Sequence, residues 1–135
     1  MAVEWKKLAF TADIVAERSA AVTITNKRNQ KRVDSQASTA TITPEISTYD
    51  VFVRTAQAEA LDIANHSTSS PANREAILIQ IKDNATPAAI TYGTNYIDGS
   101  ITKPTTTIAS KWLTLLFVWF SGDEKFHLEH VGNEV

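Results

Sequence analysis

Residues 111–120 read KWLTLLFVWF, and this stretch decides the fold. Between Trp112 and Phe120 its only polar residue is Thr114. In an extended chain, successive side chains point to opposite faces. One face then carries Leu113, Leu115, Phe117 and Trp119, and the other carries Trp112, Leu116, Val118 and Phe120. A chain of this length fills one hydrophobic core, so only one of these faces can turn inward. The other needs a second cover: another sheet, an N-terminal arm or another subunit. Trp112, Leu116, Val118 and Phe120 are therefore the candidate subunit interface.

The rest of the chain has the same β character. The turn Ser121-Gly122-Asp123-Glu124 joins 111–120 to a strand over 125–131, a C-terminal hairpin. Residues 75–83 (EAILIQIKD) alternate, with Ile77, Ile79 and Ile81 facing in and Leu78, Gln80 and Lys82 facing out. Residues 49–55 (YDVFVRT) alternate as well, shorter strands are expected over 39–43, 88–92 and 96–97, and 58–63 reads as a weaker strand or a turn of helix. Residues 101–108 are extended, with Pro104 marking an edge or bend. Short strands with turn signals between them predict an all-β, antiparallel β-sandwich of jelly-roll type over residues 37–135. Residues 1–36 are read as an extended N-terminal arm, with a short helical turn over 12–18 and a strand over 22–26.

Composition limits the function. The chain has 135 residues, a net charge of −2 and no cysteine. Disulfides and thiolate metal sites are thereby excluded, and assembly in a reducing cytoplasm is compatible. No apolar run approaches the roughly 20 residues that span a bilayer, and the start lacks a signal-peptide core. Charge is unevenly placed: residues 1–36 carry seven basic and four acidic residues, and the remainder is net acidic. Lys27, Arg28, Lys31 and Arg32 form either a solvated turn or, with Trp5, an attachment arm for an acidic protein surface. With no aromatics interleaved in 26–32, nucleic acid is not an expected partner.

Enzymatic motifs are missing. No G-x-S-x-G elbow, Walker loop or dinucleotide fingerprint occurs, and four glycines leave no phosphate cradle. On a regular strand His127 and Glu129 would share a face while His130 points away, too few ligands for zinc. No catalytic residue, cofactor or metal is expected. Tyr92, Trp112 and Trp119 are candidates for stacking on a glycan, although core packing or subunit contact is the commoner role of such rings.

Four segments carry a resemblance. They are ITPEISTYDVFV at 42–53, ALDIAN at 60–65, ILIQIKDNATPAAITYGTNY at 77–96 and KPTTTIASKWLTLLFVW at 103–119. Together they resemble the small β-rich domain of many tailed-phage virion proteins, in which an I-K-D-N-G-T type run precedes P-T-T-T and an apolar strand. The opening MAVEWKKLAF also looks like the start of phage tail and fibre proteins. Ala85 stands where that family has glycine, Pro87 where it has a basic residue, and Phe126 where it commonly has tryptophan. The resemblance implies a non-catalytic virion component assembled in the host cytoplasm. The expected role is a homo-oligomeric, most simply trimeric, capsid decoration (cement) protein or fibre-like accessory, contacting major capsid or tail proteins. The alternative it leaves open is a tail-tip module that binds a host surface glycan.

Overall fold

The computed structural model describes residues 30–67 and 71–134. The helical turn and strand expected within residues 1–29 lie outside the described residues, as do Trp5, Lys27 and Arg28. One compact unit runs Lys31–Val135. Its described residues hold nine strands and no helix.

The strands are β1 (Val33–Gln36), β2 (Thr41–Ile42), β3 (Val51–Gln57), β4 (Leu61–Ile63), β5 (Ala76–Asp83), β6 (Ile90–Tyr92), β7 (Tyr96–Asp98), β8 (Trp112–Phe120) and β9 (Lys125–Asn133). Six of them form a sheet in the order β1-β3-β5-β8-β9-β7, and β2-β4-β6 form a second. The chain thus alternates between sheets, and each pass from β1 to β6 adds one strand to each. Consequently β1, β3 and β5 are parallel, as are β2, β4 and β6. Antiparallel pairing, expected throughout, is confined in the large sheet to β5–β8–β9, while β7 joins β9 in parallel. The physical reason is that alternation fixes which face a side chain takes and is silent on strand direction. Parallel neighbours need a crossover, and the strands of the small sheet provide it. Residues 33–36, read as part of the arm, are an edge strand of the large sheet.

Side chains from both sheets meet in one core. Ile42, Leu61, Ile63 and Ile90 come from the small sheet, and Phe52, Ile77, Ile79, Ile81, Leu113, Leu115, Phe117, Phe126 and Leu128 from the large one. Alternation in β5 and β8 is as expected: every second residue is buried and its neighbours are half-buried. Tyr96 stacks on Phe126 at 5.5 Å and meets Phe117 edge-on at 5.1 Å. Burial pushes the Tyr96 and Tyr92 phenols above their ordinary range.

Polar groups in this core are paired with few exceptions. Arg54 on β3 is 2% exposed and shares the inner face with Phe52. Its guanidinium donates to Asp34 Oδ2 at 3.0 Å and to Val53 O at 2.9 Å, while its Nε has no partner. Gln57 donates to Thr39 O and Glu59 O, tying β3 to the approaches of β2 and β4. Asp83 accepts from Ala85 N, Ser110 N and the Thr107 hydroxyl, and Thr107 Oγ1 in turn accepts from Ala88 N at 2.7 Å. This knot bends the chain after β5, and it places Ala85 at φ 90°, a conformation that suits glycine.

Candidate interaction surface

The outer face of the large sheet carries the candidate interface residues. Strand register aligns Val33, Val51, Leu78 and Leu116 in one row across four strands, ending at His130 on the fifth. A neighbouring row pairs Ala76 with Val118 and His127. Trp112, Leu116, Val118 and Phe120 all lie on this face and are half-buried, whereas Leu113, Leu115, Phe117 and Trp119 are sealed inside. The interface candidates thus share one face, and the structure adds Val33, 49% exposed, and Leu78 to them. Leu78 is legible in the sequence as a large apolar residue at an outward position. Val33 is not, because VDSQ at 33–36 carries too little apolar pattern to mark a strand.

Charged groups frame the two ends of the patch. At one end Phe120 lies under the Arg74 guanidinium at 4.0 Å and beside the His127 ring at 4.2 Å. At the other, Lys82 sits 5.8 Å from the Trp112 ring and pairs with Glu134 at 3.0 Å. The Glu134 carboxyl is held below its usual range by that hydrogen bond and by the Trp112 N–H. Between these ends lie the row from Val33 to Leu116 and a mixed row of Ser35, Val53, Gln80 and Thr114.

A bulge changes the expected placing of the histidines. The register shifts between Leu116 and Phe117, so Leu116 faces His130, Phe117 faces Leu128, and Glu129 is the extra residue. His127 and His130 therefore lie on the same outer face, opposite to the strict alternation expected. His127 Nε2 lies 2.7 Å from Asp123 Oδ2. Among the described residues no group of three potential metal ligands converges.

Two of the attachment candidates, Lys31 and Arg32, fall among the described residues. Lys31 is exposed. Arg32 is held against its own domain: Nη2 pairs with Asp50 at 2.9 Å and donates to Ile46 O, and Nη1 donates to Ser47 O. Asp50 is lowered to about 2 by the hydrogen bonds from the Arg32 side chain and backbone. Arg32 thus braces the 45–50 turn while its side chain stays half exposed.

The three glycan candidates do not converge. Trp119 is 6% exposed and faces inward, where it and Phe126 are met edge-on by the His66 ring at 5.0 and 5.5 Å. Trp112 is at the far end of the same strand on the opposite face. Tyr92 belongs to the small sheet, donating its hydroxyl to Pro104 O at 2.8 Å. The Trp119 edge does line a pocket of about 410 Å³ beneath the β8–β9 turn, with His66, Asn95, Asp123, Glu124 and Lys125. His66 and Asn95 enter it from loops, whose meeting no sequence periodicity encodes.

Comparison of the chain with protein-family models, curated proteins and solved structures finds no match.

Proposed function

We propose that this protein is a non-catalytic structural subunit of a tailed-phage particle. In this reading a β-sandwich domain carries an N-terminal attachment arm, associates with copies of itself through the outer face of its large sheet, and serves as a capsid decoration or fibre-like accessory. The observation that carries self-association is the set Val33, Leu78 and Leu116, flanked by Val118 and Phe120, on a sheet whose opposite face already fills the core; Val51, in the same row, is itself buried. An exposed apolar patch on the order of a few hundred Å² marks an interaction surface. Assignment to a virion is supported by the resemblance of 42–131. Two of its matching segments, 77–96 and 103–119, are joined by the buried Asp83–Thr107 bond. Mass spectrometry and labelled imaging of purified particles test the assignment. A fixed copy number at one particle location is expected, and particles lacking the protein would overturn it.

A second reading, glycan recognition, is favoured by the pocket beneath the β8–β9 turn, which sets amide, carboxylate and ammonium groups beside an indole edge. Binding of isolated protein to host-surface glycans, lost in Asn95→Ala, would establish it. An unchanged signal in that variant would remove the pocket from consideration.

A further inference from the structure

The bulge in β9 decides what stands beside Leu116 on the outer face. Glu129 is the extra residue, and beyond it His130 sits opposite Leu116. His130 is exposed, and its ring lies over Gly132, where an added β-carbon would meet Nε2 at 3.2 Å. His127 lies one row away, between Val118 on β8 and Ile97 on β7. The two histidines differ in their charged neighbours. His127 has Asp123 Oδ2 at 2.7 Å from Nε2, and the Phe120 ring beside it carries the Arg74 guanidinium. Lys125, the next outward residue on its own strand, donates to Thr94 O. His130 meets Leu116 and Thr114 on β8, with Leu78 and Gln80 of β5 behind them. The β7 strand ends opposite Leu128, and its Asp98 is paired with Lys103 at 3.7 Å. Glu134, beyond Gly132, is paired with Lys82, and Glu129 is exposed. Among the described residues no carboxylate forms an ion pair with His130. The third histidine, His66, packs on Trp119 and Phe126 and takes no part in this face.

We propose that mild acid releases association through the outer face, and that His130 is the residue that senses it. This regulation rests on the self-association proposed above. An imidazole takes up its proton between about pH 8 and pH 5. A cover over Leu116 also takes the adjacent His130 ring out of water, which the neutral ring tolerates and the imidazolium does not. The uncovered protein therefore binds the proton more readily than the covered one, and linkage weakens the contact as pH falls. His127 lies on the same face, but its proton is offset by the Asp123 carboxylate beside it. At His130 nothing offsets the charge, so the new cation stands at the edge of the apolar set Leu78, Leu116 and Val118.

Sedimentation of the full chain at about pH 7.5 and about pH 5.5 tests it, with His130→Gln, His130→Lys and His127→Gln beside the wild type. The wild type is expected to associate at least about fivefold more weakly at the lower pH. His130→Gln should associate equally at both values. His130→Lys, charged throughout, should already be weak at the higher one, and His127→Gln should keep the wild-type dependence. Wild type that associates equally at both values would overturn the acid release and leave the outer-face reading standing. The same holds if His130→Gln loses association in acid as the wild type does, or if His127→Gln alone removes the dependence. Wild type that stays monomeric at both values and at every concentration would overturn the outer-face reading, and the regulation with it.

Discussion

Thr107 donates its hydroxyl to the buried carboxylate of Asp83 and accepts the Ala88 N–H at the same oxygen. The bond joins the end of β5 to the P-T-T-T run 24 residues later. It explains why these two sequence features occur together: the carboxylate at the strand end needs the third threonine as a donor. Asp83 is 3% exposed and Thr107 likewise, so each depends on the other for solvation. Thr107→Val keeps the shape and removes the hydroxyl, leaving Asp83 Oδ2 and Ala88 N unpaired. Denaturant unfolding is expected to show a loss of about 2–4 kcal/mol. A loss below half a kcal/mol would show that the knot does not organise the turn.

Ala85 occupies φ 90° with its N–H fixed to Asp83 Oδ1 at 2.8 Å. A β-carbon is strained there, and glycine is not. Ala85→Gly should therefore raise stability by about 1 kcal/mol despite the entropy glycine adds to the unfolded chain. Thermal unfolding of the two proteins decides the sign, and a lower midpoint for the glycine variant would contradict the strain.

Arg54 and Asp34 form a pair whose two halves are not equivalent. Arg54 is buried, and removing Asp34 strands its charge. Asp34→Ala is expected to cost about 3 kcal/mol. Arg54→Met leaves Asp34 without its cation, but that carboxylate is 20% exposed and can be partly hydrated, so the loss is expected to be smaller, about 1 kcal/mol. Chemical denaturation of both variants checks the asymmetry; equal losses would refute it.

Arg32 beside Asp50 predicts a feature on the acid limb. The folded-state value of Asp50 lies near 2, below its ordinary 3.8. The folded state thus favours the carboxylate, and this contribution is complete above the ordinary value and lost as pH falls toward 2. Asp50→Asn should flatten the stability profile between pH 4 and 2 and leave its slope near neutrality unchanged, as followed by melting temperature against pH. The effect is small because the pair is largely solvated.

Much of the fold was legible from residue periodicity. The inward sets of β5 and β8 followed from alternation alone, because burial on one face is a local property of the chain. Three things were not legible. Strand direction depends on crossovers between sheets, so the parallel passes of β1 to β6 were missed. Residues 33–36 (VDSQ) carry too little apolar pattern to announce a strand, and pairing with β3 creates it. The extra Glu129 in β9 reverses the side taken by His130, and nothing in KFHLEHV marks the bulge. Of the candidate site, the outer residues of β8 were visible as an excess of apolar side chains. The pocket beneath the β8–β9 turn was not, since its walls come from loops far apart in sequence.

The central claim is that the outer face of the large sheet is covered by another molecule of the same chain. Sedimentation of the purified protein across the micromolar range, beside Leu116→Glu, tests it most directly. The account predicts reversible association of the wild type and a monomeric variant with an unchanged melting temperature when dilute. A wild type that remains monomeric throughout, or a variant that associates equally well, would contradict it.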